Sequence, residues 1–142
     1  MIIDAAASWF LPRIVSLSWA ADWAYSGRMF SADEALRAGL VRELRPATEV
    51  LPAARAIATE IAAASPVSVS FTKALLWRAS TADSPLLALD LDSAALRELG
   101  ARPDCAEGVQ AFLDRRPPQF TSKVSTDMPA VYRWWERNAD ER

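Results

Sequence analysis

The sequence contains no histidine and only one cysteine, Cys105, among its 142 residues. A lone thiol without an imidazole base has nothing to activate it as a nucleophile, and it cannot form an internal disulfide. The missing histidines also remove the usual ligand sets for zinc and non-haem iron, and no cluster of cysteines or carboxylates replaces them. We therefore expect no metal and no bound cofactor, and we expect Cys105 to be a small helical residue.

The chain also has little net charge and no long apolar run. Its formal charge is −2 and its arginines are scattered, so the composition gives no reason to expect nucleic acid or a membrane surface as a partner. The start, Met1-Ile2-Ile3-Asp4, has neither a basic region nor a long apolar stretch. We expect neither a signal peptide nor a membrane anchor, and the default prediction is a cytoplasmic protein.

The composition and the apolar spacing predict a folded, mostly helical chain. Apolar residues make up 51% and charged residues 24%, which is typical of a soluble globular protein with one modest core. Helices are predicted at Ile14 to Ser26, Pro46 to Ser65, Pro66 to Arg78, Leu86 to Leu99, and from Pro103 to the Arg115-Arg116-Pro117-Pro118 turn. Their predicted buried stripes include Leu51, Ala54, Ile57, Ala58 and Ile61 in the second of these helices and Val109, Phe112 and Leu113 in the last.

Two acidic residues are placed as helix caps by the same rules. Asp4 precedes a predicted short turn of helix through Ala7, and Pro12-Arg13 is predicted to break that segment. Asp104, with Glu107 three positions later, forms a predicted capping box at the start of the last helix.

The segment Ser26 to Pro46 organises the rest of the chain. It reads S-G-R-M-F-S-A-D-E-A-L-R-A-G-L-V-R-E-L-R-P. Ser31 and Glu34 form a predicted capping box, and Gly39 stands where a left-handed residue would end the helix. Leu40 to Leu44 then alternates apolar and polar residues, which predicts one short strand.

This segment resembles the T-G-R-x-x-S-A-x-E-A-x-x-x-G-L-V-x-x-V-x-P pattern of the enoyl-CoA hydratase/isomerase, or crotonase, superfamily. Three further stretches match in the same order: D-A-A-A-S-W-F-L-P-R-I-V, S-P-V-S-V-S-F-T-K-A-L-L and E-G-V-Q-A-F-L-D-R-R-P-P-Q-F. The resemblance implies a mainly α chain, the C-terminal helical portion of the ClpP/crotonase-like fold. Residues 1–120 would be a partial domain and residues 121–142 a tail extension. Ser16 departs from the pattern, because the family normally has glycine there.

The resemblance also implies a substrate and a site residue. Asp4 matches a position where several members carry an Asp or Glu implied to act as acid, base or nucleophile on an acyl-CoA thioester. The implied reaction is hydration or isomerisation of 2-enoyl-CoA thioesters in fatty acid metabolism. From the residues alone, Asp4 is an N-cap, and both interpretations stay open.

Only the C-terminal half of the family is covered by this resemblance. In the family, the β-rich N-terminal half supplies two backbone N–H donors, the oxyanion hole, and a first catalytic glutamate. Losing one such donor costs about 10²–10³ in rate, and losing an acid or base costs about 10²–10⁴. We therefore expect a truncated chain that is inactive or incomplete alone. The alternatives are a non-catalytic helical oligomerisation or interaction module, as a homo-oligomer, and one half of a split enzyme.

Several side chains have two interpretations each. Trp19 and Trp23 lie one turn apart and indicate either a core or subunit-contact face or a ligand lining. Lys73 indicates either a snorkelling lysine or a phosphate contact for coenzyme A. Arg115 and Arg116 either complement a helix dipole or lie near the coenzyme A phosphates. Trp134 and Trp135 are expected to pack on another surface.

Overall fold

The computed structural model describes residues 3–133, and the chain divides into two compact units, Met1–Ala53 and Ala54–Arg142. The first unit holds α1 (Ala7–Val15), α2 (Leu17–Ser26) and α3 (Ala32–Arg37), and α4 (Ala47–Ala62) runs across the division. The second holds α5 (Pro66–Ala79), α6 (Pro85–Gly100), α7 (Pro103–Asp114) and a 3-10 turn, Ala130–Arg133. The prediction of a mainly helical chain is confirmed. Trp134 and Trp135 lie outside the described residues.

A small core holds the first unit together. α1 packs against α2, and Val15, Ala20, Trp23 and Ala38 form one buried cluster. The two helices are separated at Ser16, whose φ of 79° and ψ of 158° cannot continue a helix. The predicted break at Pro12-Arg13 is wrong, because Pro12 stands inside α1 and the chain turns at Ser16 instead.

The organising segment folds around α3 largely as predicted. The Ser31 Oγ accepts a hydrogen bond from the Glu34 N–H at 3.2 Å. The predicted return bond from the Glu34 carboxylate is not formed, because Trp23 and Arg28 occupy that carboxylate. Gly39 has a φ of 81° and, as predicted, ends the helix by allowing the Leu40 N–H to reach the Ala35 carbonyl at 2.9 Å.

The strand predicted at Leu40 to Leu44 is not formed. Residues 40–42 make a bend and residues 43–46 are irregular. A strand needs a neighbouring strand to pair its N–H and C=O groups, and between residues 3 and 133 no other strand exists. The alternating sequence is therefore left as a connection between α3 and α4.

The second unit is built around α6, which packs against α5, α7 and the 3-10 turn. Its buried apolar residues are Val67, Phe71, Ala95, Ala111 and Pro129. Pro85 is the first residue of α6, and the Ser84 Oγ caps this helix by accepting a hydrogen bond from the Leu86 N–H at 3.2 Å.

The predicted buried faces of α4 and α7 are largely exposed, although Ile57 on α4 is half-buried. Within α4, all of which is described, no residue is buried, and Leu51 and Ile61 are 58% and 52% exposed. On α7, Phe112 and Leu113 are 82% and 67% exposed, and Val109 is also exposed. The spacing of apolar residues fixes which face of a helix is apolar, but it does not say what covers that face.

Candidate functional site

Asp4 lies just before α1 and its side chain is exposed. Its backbone carbonyl accepts a hydrogen bond from the Ala7 N–H at 2.9 Å. The N-cap residue of α1 is Ala6, which makes no side-chain cap. The capping prediction for Asp4 is therefore wrong, and its carboxylate lies at the surface.

The two residues after Asp4 have unusual backbone conformations. Ala5 and Ala6 have φ values of 51° and 57°, in the left-handed region that side chains with a Cβ rarely adopt. Such residues cost about 1–3 kcal/mol each and concentrate at functional sites. This turn follows directly after Asp4, the residue that the sequence selected as a candidate site.

A cluster of charged and aromatic side chains supports the organising segment. The Arg28 guanidinium binds both Asp22 and Glu34, and the Trp23 Nε1–H donates to Glu34 Oε1 at 2.8 Å. The bonds from Arg28 and Trp23 lower the pKa of Glu34 to about 2. Phe30 stacks on Trp23 with ring centroids 3.9 Å apart.

This cluster explains the tryptophan face as packing. Trp23 is 5% exposed and belongs to the core, and Trp19 packs beside it with ring centroids 5.7 Å apart. The conspicuous residues of the segment are engaged in its folding: Gly27 ends α2 at a φ of 61°, Arg28 binds Glu34, and Ser31 caps α3. The most recognisable pattern in the sequence thus builds a turn and a short helix.

The second unit contains an open groove of about 740 Å³ along α5, α6 and α7. Ligand pockets commonly have volumes of about 300–1,000 Å³. The apolar lining includes Phe71, Leu75, Leu96, Leu99, Val109 and Phe112. Ser68, Thr72, Asp92 and Cys105 add a few polar groups, so the groove combines an apolar wall with sparse hydrogen-bonding groups. Cys105 is exposed and lies in α7, so its predicted helical placement is confirmed.

Asp104 is buried beside this groove and binds the segment that follows α7. It accepts hydrogen bonds from the Ser65 hydroxyl at 2.9 Å and from the N–H groups of Thr121 and Ser122 at 3.0 and 3.3 Å. Burial raises its pKa, but these hydrogen bonds together outweigh burial and the pKa is lowered. The predicted capping box is wrong, because α7 begins after Arg102 and the Asp104 carboxylate binds elsewhere.

Arg116 is held by carboxylates of its own chain. It binds Glu107 through two parallel hydrogen bonds of 2.7 and 2.9 Å, and its Nε lies 3.4 Å from Asp114. Arg116, together with the Gln119 N–H, lowers the pKa of Glu107 to about 2. These contacts favour a structural role for Arg116. Lys73 is exposed on α5, and both of its interpretations stay open.

Neither a metal-binding cluster nor a membrane-spanning helix is found in the described part of the chain. Between residues 3 and 133 no group of three or more metal-ligating side chains comes together. In the same range, no helix has the length and apolar character needed to cross a bilayer.

Between residues 3 and 133 the chain is thus a helical protein with an exposed carboxylate before α1 and, in its second unit, an open apolar groove. Residues 1–123 match the family model described as enoyl-CoA hydratase/isomerase, and the chain belongs to this family. It is 37% identical over 122 residues to an enoyl-CoA hydratase of Alternaria alternata, a match that covers 84% of this chain and 40% of the relative.

Solved structures agree with this assignment. The crystal structure of a probable enoyl-CoA hydratase/isomerase from Mycobacterium abscessus has a TM-score of 0.81 and 38% identity, covering 87% of this chain and 50% of that one. The enoyl-CoA hydratase from Bacillus anthracis has a TM-score of 0.81 and 29% identity, covering 87% and 47%. The chain therefore spans half or less of the length of these proteins.

Sequence reasoning missed Arg28 and the tie made by Asp104. The six-residue separation of Arg28 and Glu34 crosses a turn, so no helical spacing rule pairs them. The sequence predicted that Asp104 would cap the start of its own helix. Its partners lie 39, 17 and 18 residues away, and only the tertiary structure brings them to it.

Proposed function

We propose that this chain supplies the helical C-terminal half of an enoyl-CoA hydratase/isomerase domain that acts on 2-enoyl-CoA thioesters in the cytoplasm. The reaction would be addition of water to the double bond or its isomerisation, as part of fatty acid metabolism. The family match supports the chemistry, and the carrying observation is that the chain spans only 40% to 50% of its relatives' length.

Asp4 is the proposed acid–base residue. A carboxylate can remove a proton from the attacking water or deliver one to the substrate carbon, which contributes about 10²–10⁴ in rate. Its exposure and the left-handed Ala5-Ala6 turn behind it support this role.

The backbone donors that polarise the thioester carbonyl would come from a further protein segment that these 142 residues do not include. Preorganised N–H donors make one of the greatest contributions to catalysis in such reactions, each worth about 10²–10³ in rate. Apolar side chains such as Leu51 on α4 and Phe112 on α7 are exposed, which supports a need for further protein surface. Alone, the chain would give no measurable turnover.

The experiment is a reconstitution assay with crotonyl-CoA. We expect the purified chain to be inactive and to gain hydration activity when mixed with the portion of the Bacillus anthracis enoyl-CoA hydratase that it does not match. Asp4→Asn should abolish the gain, whereas Asp33→Asn, at an exposed carboxylate on α3, should leave it intact. Turnover by the chain alone that disappears in Asp4→Asn would contradict incompleteness.

A non-catalytic assembly module is the second candidate. The observation in its favour is the set of large apolar side chains exposed on α6 and α7, including Leu96, Phe112 and Leu113. Self-association would remove this surface from water. Size-exclusion chromatography with light scattering should then show a homo-oligomer, and a monomer that gains activity on reconstitution would favour the split enzyme instead.

A further inference from the structure

The segment after α7 is attached to the helices through hydrogen bonds from its backbone N–H groups to side-chain carboxylates. We call residues 117–127 the strap. Its Gln119 N–H donates to the Glu107 carboxylate at 2.6 Å, and its Thr121 and Ser122 N–H groups donate to Asp104. Side-chain carboxylates therefore hold the strap at residues 119–122, and at its far end the Asp127 carbonyl accepts a hydrogen bond from the Arg102 guanidinium. The carboxylate ties depend on two residues of α7, Asp104 and Glu107.

The two ends of the strap differ from its middle. It begins at Pro117-Pro118, which have no N–H to donate, shortly after Arg115 at a φ of 55°. It is followed by Pro129, which is fully buried, and by the Ala130 N–H, which donates to both Glu98 oxygens at 2.9 Å. The strap thus lies between a turn and a firm anchor.

The strap forms one side of the groove. Phe120 and Ser122 both line the groove, beside residues of α5, α6 and α7. The Phe120 ring lies directly over Gly108, since a Cβ built at that glycine would be 3.7 Å from the ring. A displaced strap would remove this aromatic wall and widen the groove.

We propose that the strap can detach from the helices and open as one unit while α5, α6 and α7 stay folded. In the closed state, Asp104 and Glu107 hold it over the groove. The anchor at Pro129 and Ala130 retains the far end. The device rests on geometry within the second unit and is independent of the proposed chemistry.

The two lysines of the chain provide the assay. Lys123 lies in the strap and Lys73 lies within α5. The rates at which endoproteinase Lys-C cleaves after these two lysines therefore report on opening of the strap and on unfolding of the helices in one reaction. The full chain would be compared with Asp104→Asn, with Glu107→Gln and with the control Asp90→Asn, an exposed carboxylate on α6. Hydrogen exchange followed by mass spectrometry would map the same variants.

We expect Glu107→Gln and Asp104→Asn each to speed cleavage after Lys123 about tenfold, because charge-assisted hydrogen bonds are replaced by weaker neutral ones. Cleavage after Lys73 and exchange within α5 to α7 should match the control. Equal acceleration at both lysines would overturn the proposal, since the carboxylates would then hold the helices themselves. The proposal would also be overturned if cleavage after Lys123 were no faster in Glu107→Gln. This variant leaves the buried Asp104 unchanged, so its result does not depend on how well a substitution at Asp104 is tolerated.

Discussion

Replacing Ser16 by glycine should stabilise the first unit. Ser16 has a φ of 79° and a ψ of 158°, a region that is essentially restricted to glycine. The side chain makes no capping bond to α2, so removing the hydroxyl sacrifices no cap. The backbone strain of the serine is the quantity that this substitution removes.

The size of the gain follows from two opposing contributions. Relief of a disallowed backbone conformation contributes about 1–3 kcal/mol. The greater freedom of glycine in the unfolded chain takes back about 0.4–1 kcal/mol. We expect a net gain of about 0.5–2 kcal/mol in the free energy of unfolding, and about 4 °C in melting temperature for each kcal/mol.

Urea and thermal unfolding followed by tryptophan fluorescence would measure this gain, because Trp9, Trp19 and Trp23 all lie in the first unit. Ser16→Ala is the matched control: it removes the hydroxyl but keeps the Cβ, so it should not stabilise. Ser18→Gly, two residues later within α2, should be neutral or destabilising by about 0.5 kcal/mol. The reasoning fails if Ser16→Gly is no more stable than the wild type and Ser16→Ala.

Three further predictions can be checked with the same unfolding assays. Gly39→Ala should cost about 1–2 kcal/mol, because the φ of 81° and not crowding opposes a Cβ, whereas Gly100→Ala should be neutral or stabilising; equal midpoints would contradict this. Phe71→Ala should lower the free energy of unfolding by about 3–5 kcal/mol, since the ring is 1% exposed in the second unit. Urea unfolding followed by circular dichroism would measure this loss, and a value below about 1 kcal/mol would contradict the buried position of the ring. Because the pKa of Glu34 is lowered, its contribution to stability should be complete above its ordinary pKa of 4.5 and should be lost as the pH falls towards about 2. Glu34→Gln should flatten this dependence of stability on pH. The same pH profile in the variant and the wild type would contradict the prediction.

The candidate site was only partly readable from the sequence. The family pattern selected Asp4, and its role in catalysis stays a prediction. The capping rule placed Asp4 and Asp104 at helix starts, but neither carboxylate caps its own helix. A capping rule weighs only neighbours along the chain, whereas the partners of Asp104 arrive from two other segments.

The sequence by itself determined the local features: the mainly helical class, the left-handed Gly39 that follows α3, and the starts of α5 and α7 at Pro66 and Pro103. These depend on backbone conformation and hydrogen bonds within a few residues. Only the tertiary structure decided which apolar faces are covered and which carboxylates hold the strap. Residues 40–44 form no strand, because a strand needs a second strand to pair with. A buried apolar face and a carboxylate that ties two segments likewise require a second segment of chain, which spacing along the sequence does not specify.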